Sequence, residues 1–210
     1  MNSIKALLFD IDGTVLDTTD FIILATEHAL LTHGLSTPPR AAIASEVGKP
    51  FNIFYESLTG IKENQFLQDT HRQFQRSNLH LSKLYPNSIE TLTELKARGI
   101  KLAAVTTRSR ITSLDTLRLA GTLDFWDTIV SGEDAPAVKP DPSPLFLALE
   151  RLGIEPGAAA MIGDSHFDIQ AGINAGTKTV RATYGFHQDH LHEPEPDYFI
   201  NDIKELLSII

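Results

Sequence analysis

The chain contains no cysteine, one tryptophan and two methionines in 210 residues. Without cysteine there is no disulfide, no thiolate nucleophile and no sulfur-ligated zinc or iron–sulfur centre. A reducing compartment is compatible with that absence. Basic residues are also scarce: 18 Lys and Arg stand against 27 Asp and Glu, a formal net charge of −9. Such a balance argues against the broad phosphate-backbone footprint of a nucleic-acid binder. No apolar stretch approaches the roughly 18 residues that a membrane span needs. Asp10 and Asp12 interrupt the first apolar run before a signal-peptide core can form. The expected setting is cytoplasmic, with neither membrane nor nucleic acid as partner. The remaining composition, 42% hydrophobic and 21% charged, excludes collagen-like, coiled-coil and disordered chains. The length suffices to bury a sizeable core.

Short apolar runs without alternation recur at 4–11, 100–105, 128–130, 158–162 and 179–180, with a weaker one at 198–200. Runs of this kind read as strands buried on both faces, the habit of parallel sheets. Helical patterns lie between them. Residues 88–98 place Ile89, Leu92 and Leu95 at three-residue spacing before Gly99, which suits a C-terminal cap. Residues 110–120 set Ile111, Leu114, Leu117 and Leu119 broadly on one side, and Pro144 suits the first turn of a helix over 144–152. Further helices are expected at 167–175 and 202–207. Alternation of strand and helix from residue 84 onward predicts βαβ units. The segment from 18 to 82 breaks that rhythm: it shows helical periodicity (Phe21, Leu24, Ala25, His28) and no convincing strand. The expected architecture is a Rossmann-like, doubly wound α/β core of residues 1–17 and 83–210, with a parallel sheet and an α-helical cap domain inserted at 18–82.

Acidic residues fall where such a core binds ligands. Asp10, Asp12 and Asp17 follow the first strand in Phe9-Asp10-Ile11-Asp12-Gly13-Thr14-Val15-Leu16-Asp17. Two carboxylates two residues apart at the end of a buried strand are costly unless something neutralises them; the alternative is that they merely cap a turn. Gly13 permits a sharp turn there, and ligands of open α/β sheets sit beyond the carboxyl ends of the strands. A second acidic group, Gly163-Asp164-Ser165-His166-Phe167-Asp168, follows another apolar run and opens a helix, where an Asp is often only a cap. Two acid-bearing strand ends on one sheet edge are more economically read as a metal site, and oxygen ligands without sulfur favour Mg²⁺ over zinc. Thr106 and Thr107 end a third strand, and Lys139 lies in a Pro-rich loop after a fourth. Carboxylates, hydroxyls and an ammonium together suit phosphoryl transfer with Mg²⁺ screening the charges.

With these four motifs in order, the sequence resembles the haloacid dehalogenase superfamily phosphohydrolases. The first motif of that family, Asp-x-Asp-x-Thr, matches Asp10 to Thr14; the strand-ending Thr matches Thr106; the Lys before Pro matches Lys139; Gly-Asp-x-x-x-Asp matches Gly163 to Asp168. The resemblance implies a HAD-like core and a Mg²⁺-dependent phosphatase with an aspartyl-phosphate intermediate. It implies that Asp10 is the nucleophile and that Asp12 is the acid and base for leaving group and water. Thr106 and Lys139 would hold the phosphoryl oxygens, with Thr107 beside them. The metal would be bound by the Asp10 carboxylate, the Asp12 backbone carbonyl and Asp164, with Asp168 close by or acting through water. Asp12 favours phosphate esters or anhydrides over carbon–halogen bonds, because dehalogenation needs no leaving-group acid.

The helical insertion is similar in position to that of the phosphoglycolate phosphatase-like branch, and Gly48-Lys49-Pro50 resembles a cap loop of that branch, which makes Lys49 a candidate substrate contact or a solvated lysine. Val105-Thr106-Thr107-Arg108 and the stretch from Asn174 to Thr179 resemble a bacterial inorganic pyrophosphatase of the same branch, whereas Thr183-Tyr184-Gly185 resembles phosphoglycolate phosphatases. The expected substrate is a small phosphorylated metabolite, phosphoglycolate first and pyrophosphate as the alternative. A β-phosphoglucomutase-like phosphomutase and, more remotely, a non-catalytic phospho-aspartate regulator are further alternatives, and a monomer or homodimer is expected. Asn87 stands where relatives commonly carry Gly after Pro86. His187, His190 and His192 crowd a loop whose prolines and lack of helical register argue against a fixed metal site. Phe51, Phe54 and Tyr55 read as cap core, and Arg72 and Arg76 share a helix face on which Asp69 is an available partner.

Overall fold

The computed structural model describes residues 4–186 and 193–210; the histidine-rich loop lies outside them. Six strands form one parallel sheet: β1 (Ala6–Phe9), β4 (Lys101–Val105), β5 (Thr128–Val130), β6 (Ala159–Gly163), β7 (Lys178–Ala182) and β8 (Tyr198–Ile200). Their order is β5-β4-β1-β6-β7-β8. β1 lies between β4 and β6, with Ala6 in register with both Lys101 and Ala159. The crossovers to the two sides of β1 diverge at this point, which opens a crevice at the carboxyl ends of the strands.

The unalternating apolar runs have a direct physical basis. Successive side chains of a strand face opposite ways, and both faces of this sheet are covered. Leu7 and Phe9 pack with Leu92, Leu95, Leu102, Leu117 and Trp126 on one face. Ala6 and Leu8 pack with Val105, Leu145, Leu149 and Met161 on the other. α5 (Ser88–Ala97) and α6 (Arg110–Leu119) supply the first face; α7 (Ser143–Leu152) and α8 (His166–Ala175) supply the second. Burying a Leu or Phe fully is worth about 1.5–3 kcal/mol, and the central strand β1 carries a buried apolar residue at every position.

The apolar stripe expected on α6 is not what the helix buries. Ile111 and Leu119 are exposed, and the buried face is Thr112, Ser113, Thr116 and Leu117. The hydroxyls pay no penalty because they bond within the helix: Ser113 Oγ donates to Ser109 O and Thr116 Oγ1 to Thr112 O, both at 2.7 Å. The expected helix at 202–207 is a short 3₁₀ turn followed by α9 (Leu206–Ile209).

Between the first strand and α5, the chain forms α1 (Thr19–Thr32), α2 (Arg40–Glu46), α3 (Phe51–Thr59) and α4 (Gln65–Ser77). These helices share a core of their own, built on Ile23, Leu30, Ile43, Phe54, Tyr55 and Leu67. Two short strands that periodicity could not reveal, β2 (Leu16–Asp17) and β3 (Lys83–Leu84), pair antiparallel where this helical segment leaves and rejoins the sheet domain. Asp17 has a local task there, since its Oδ1 accepts the Thr19 N–H at 3.0 Å, a turn contact to the first residue of α1. Asn87 occupies a position that suits glycine: its φ is +64°, in the left-handed region, and its Nδ2 donates to Asp202 Oδ2 at 2.8 Å.

Candidate active site

Three adjacent strand ends build the site. β1 ends at Phe9 and delivers Asp10; β4 ends at Val105 and delivers Thr106 and Thr107; β6 ends at Gly163 and delivers Asp164. Lys139 reaches in from the loop after β5. Its Nζ donates to Asp10 Oδ1 at 2.8 Å and to Val105 O at 2.9 Å, and it stands 2.6 Å from Asp168 Oδ1. The Lys139 side chain is 4% exposed. Burial works against its charge, but Asp10 and Asp168 outweigh that and hold the ammonium above its ordinary value.

Asp168 does both of the things open to it. Its Oδ2 accepts from the Ser165 N–H at 3.1 Å while Ser165 Oγ accepts from the Asp168 N–H, a reciprocal cap on α8. Its Oδ1 remains turned to Lys139. Asp10, Asp164 and Asp168 each offer an oxygen within 4.8 Å of the others. Burial pushes the Asp10 carboxyl up to about 7 against the pull of Lys139, with Asp168 and Asp12 adding to the rise. Burial and the neighbouring Asp168 and Asp10 push Asp164 well up too. Buried oxygens crowded this closely are a donor set for a hard cation, so the residues present fit Mg²⁺.

Backbone shape allows that crowding. Gly13 has φ +76°, and a Cβ there would collide with the Asp164 carboxylate; a Cβ on Gly185 would strike the same side chain. Asp164 Oδ2 accepts the Phe186 N–H at 2.7 Å. Tyr184 ties this stretch to the first motif by donating from its hydroxyl to Thr14 O at 2.9 Å.

Asp12 is held apart from the acidic trio. The Arg108 guanidinium grips it with two N–H groups, Nε to Oδ2 at 2.7 Å and Nη2 to Oδ1, and Thr18 Oγ1 donates to Oδ1 at 2.6 Å. Arg108 also donates to Thr116 Oγ1 at 2.9 Å and lies 4.7 Å over the Phe21 ring. The buried hydroxyl of Thr106 accepts the Arg108 N–H at 3.1 Å, and of these two neighbouring threonines it is Thr107 that lines the cavity.

That cavity has a volume of about 300 Å³, at the small end for ligand sites, and runs from Asp10 and Lys139 up to the helical segment. Lys49, Phe51, Phe54, His71 and Arg72 form its far wall. Lys49 is half-buried and paired with Glu46. Arg72 bonds Asp69 at 3.3 Å and Gln68 at 3.2 Å, with its guanidinium 5.0 Å from the Phe51 ring. Phe54 and Tyr55 are buried as expected of core, yet Phe51 and Phe54 also face the cavity. Sequence reasoning assigned nothing to Arg108, Thr18 or His71. Arg108 stands two residues beyond the strand-ending Thr106, and that position was the available signal. The partners of Thr18 and His71 come only from folding.

His71 is buried and exchanges a hydrogen bond with Tyr55 through Nδ1 at 2.8 Å. Burial, then Arg108 and Arg72, push its imidazole down to about 3. The folded chain keeps this ring neutral while an unfolded one protonates near 6.5, so its contribution to stability is complete above about 6.5 and is lost as pH falls from there toward 3. Urea unfolding of the native chain is expected to lose about 1.4 kcal/mol per pH unit from this ring across that window. His71→Gln should show a shallower acid slope; an unchanged slope would refute the assignment.

This chain belongs to the haloacid dehalogenase-like hydrolases, whose family model matches residues 7–182. Within that family it is a phosphatase. It is 37% identical to the pyrophosphatase PpaX of Bacillus velezensis over 98% of this chain and 96% of the relative. It is 34% identical to the PpaX of Bacillus cereus, over 99% and 96%. In three dimensions it is similar to a predicted phosphoglycolate phosphatase from Haemophilus somnus, with a TM-score of 0.94 and 26% identity, covering 100% of this chain and 99% of that one.

Proposed function

We propose that this phosphatase is Mg²⁺-dependent and hydrolyses a small phosphorylated metabolite, with pyrophosphate the leading substrate and phosphoglycolate the second. The observation that carries the chemistry is Asp10 at the end of β1, tied to Lys139 at 2.8 Å and grouped with Asp164 and Asp168. Asp10 attacks phosphorus as the bond to the leaving oxygen breaks, and Asp12 gives that oxygen a proton. Asp12 then takes a proton from the water that cleaves the aspartyl-phosphate, which returns Asp10 and releases phosphate. Lys139 holds Asp10 and a phosphoryl oxygen, and Thr106 and Thr107 present the end of β4 to the same group. The carboxylates of Asp10 and Asp164, the Asp12 carbonyl and Asp168, directly or through water, would hold the metal, which offsets the charge between an anionic nucleophile and an anionic phosphoryl group.

The PpaX relatives support pyrophosphate; the Haemophilus neighbour supports phosphoglycolate. Residues 18–82 serve as a cap hinged at β2 and β3, closing Lys49 and Arg72 over the substrate and excluding water. Phosphate release with Mg²⁺ from pyrophosphate, phosphoglycolate and β-glucose 1-phosphate tests this reading. One strongly preferred substrate and loss of activity in EDTA are expected. Activity undiminished by EDTA would refute the metal, and transfer to a sugar phosphate without net phosphate release would favour a mutase.

A further inference from the structure

We infer that Arg108 is the residue that reads a second anionic group on the substrate, and that by leaving Asp12 for that group it frees Asp12 to act on the leaving oxygen. The inference rests on the phosphohydrolase reading above and adds to it the class of leaving group: one bearing a carboxylate or a second phosphoryl group.

Both Asp12 oxygens are engaged as acceptors, Oδ2 from Arg108 Nε and Oδ1 from Thr18 and Arg108 Nη2. A guanidinium offers only N–H donors, so in this arrangement both oxygens are engaged by Arg108 and Thr18 rather than by a leaving group. The pair is nearly buried, with side chains 9% and 12% exposed, so water does not readily replace either partner. An incoming anion does. Arg108 lines the cavity that holds Asp10 and Lys139, and a guanidinium edge that fits one carboxylate with two parallel bonds fits another carboxylate or a phosphoryl group equally well.

The remaining contacts of Arg108 suit this exchange. Its third nitrogen is anchored on Thr116 Oγ1, and the Phe21 ring backs the plane of the group. These hold the guanidinium at the cavity wall whichever anion takes its other edge. The other cations of the cavity are engaged differently. Lys139 is bound to Asp10 and Asp168, Lys49 to Glu46, and Arg72 to Asp69 and Gln68. Arg108 alone pairs with the residue proposed as acid and base. Binding of a doubly anionic substrate and release of Asp12 thereby become one event, whereas a substrate with an uncharged leaving group leaves the Asp12–Arg108 pair closed.

The test compares pyrophosphate, phosphoglycolate and p-nitrophenyl phosphate, whose leaving group has no second anion and needs little protonation, in the native chain, Arg108→Gln and Arg108→Lys. Thermal unfolding checks that each variant is folded. In Arg108→Gln, kcat/KM for the first two compounds should fall about 100-fold further than for p-nitrophenyl phosphate, with KM raised as well as kcat lowered. Arg108→Lys should recover much of KM and less of kcat, since an ammonium supplies charge without the fork. A larger loss on phosphoglycolate points to a carboxylate as the group read, and a larger loss on pyrophosphate to a phosphoryl group. An equal loss on all three compounds overturns the inference, leaving Arg108 a wall residue. Native activity on p-nitrophenyl phosphate alone overturns it too while sparing the phosphohydrolase reading; native inactivity on all three removes both.

Discussion

Asp10→Asn is expected to reduce phosphate release by about 10⁴-fold or more while the chain stays folded. Asparagine has the same shape but no anionic oxygen to attack phosphorus, so the covalent step has no nucleophile. The fold should tolerate the change because it relieves crowding: burial and the neighbouring acids already push the Asp10 carboxyl up to about 7. Lys139 loses one anion but keeps Val105 O at 2.9 Å and Asp168 Oδ1 at 2.6 Å. The melting temperature should therefore move by no more than about 4 °C, the shift that about 1 kcal/mol produces in a chain of this size. Phosphate release measured beside thermal unfolding checks both halves. Residual turnover within tenfold of native would remove Asp10 from the role of nucleophile.

Much of this candidate site is legible in the sequence because residues placed at strand ends leave a linear trace. A buried parallel strand is an unbroken apolar run, and the first polar residue after it stands on the ligand-binding edge. Asp10, Thr106 and Asp164 are found that way. Lys139 was harder, since it stands nine residues beyond the end of β5; motif order, not periodicity, pointed to it. The pairing of β2 with β3 escaped because two-residue strands have no period. The buried face of α6 differs from its apolar stripe because its threonines and serine satisfy their hydroxyls on their own helix, which makes them acceptable core residues that a hydrophobicity pattern scores as surface. The Asp12–Arg108 pair joins residues 96 positions apart, and no local signal encodes it. Asp168 was ambiguous in sequence because the same carboxylate caps α8 with one oxygen and meets Lys139 with the other.

Lys139→Met should be more damaging to the fold than Asp10→Asn, and a divalent cation should partly repair it. Methionine fills similar space but removes the ammonium that faces Asp10, Asp168 and Val105 O. Breaking a buried ion pair by removing one partner costs about 3–5 kcal/mol, because the charge left behind is uncompensated, and here two carboxylates are left. Turnover should also fall below detection, since neither Asp10 nor the phosphoryl group keeps its cation. The three clustered acids offer another way to offset that charge. Millimolar Mg²⁺ should raise the melting temperature of Lys139→Met by more degrees than that of the native chain, since ligand binding to the folded state alone stabilises it and the variant has more charge to relieve. Unfolding curves with Mg²⁺ and with EDTA measure the difference directly. Equal Mg²⁺ shifts in the two proteins would mean that lysine and cation do not share the task of neutralising Asp10, Asp164 and Asp168. A larger shift in the variant would tie the acidic cluster to the metal without reference to turnover.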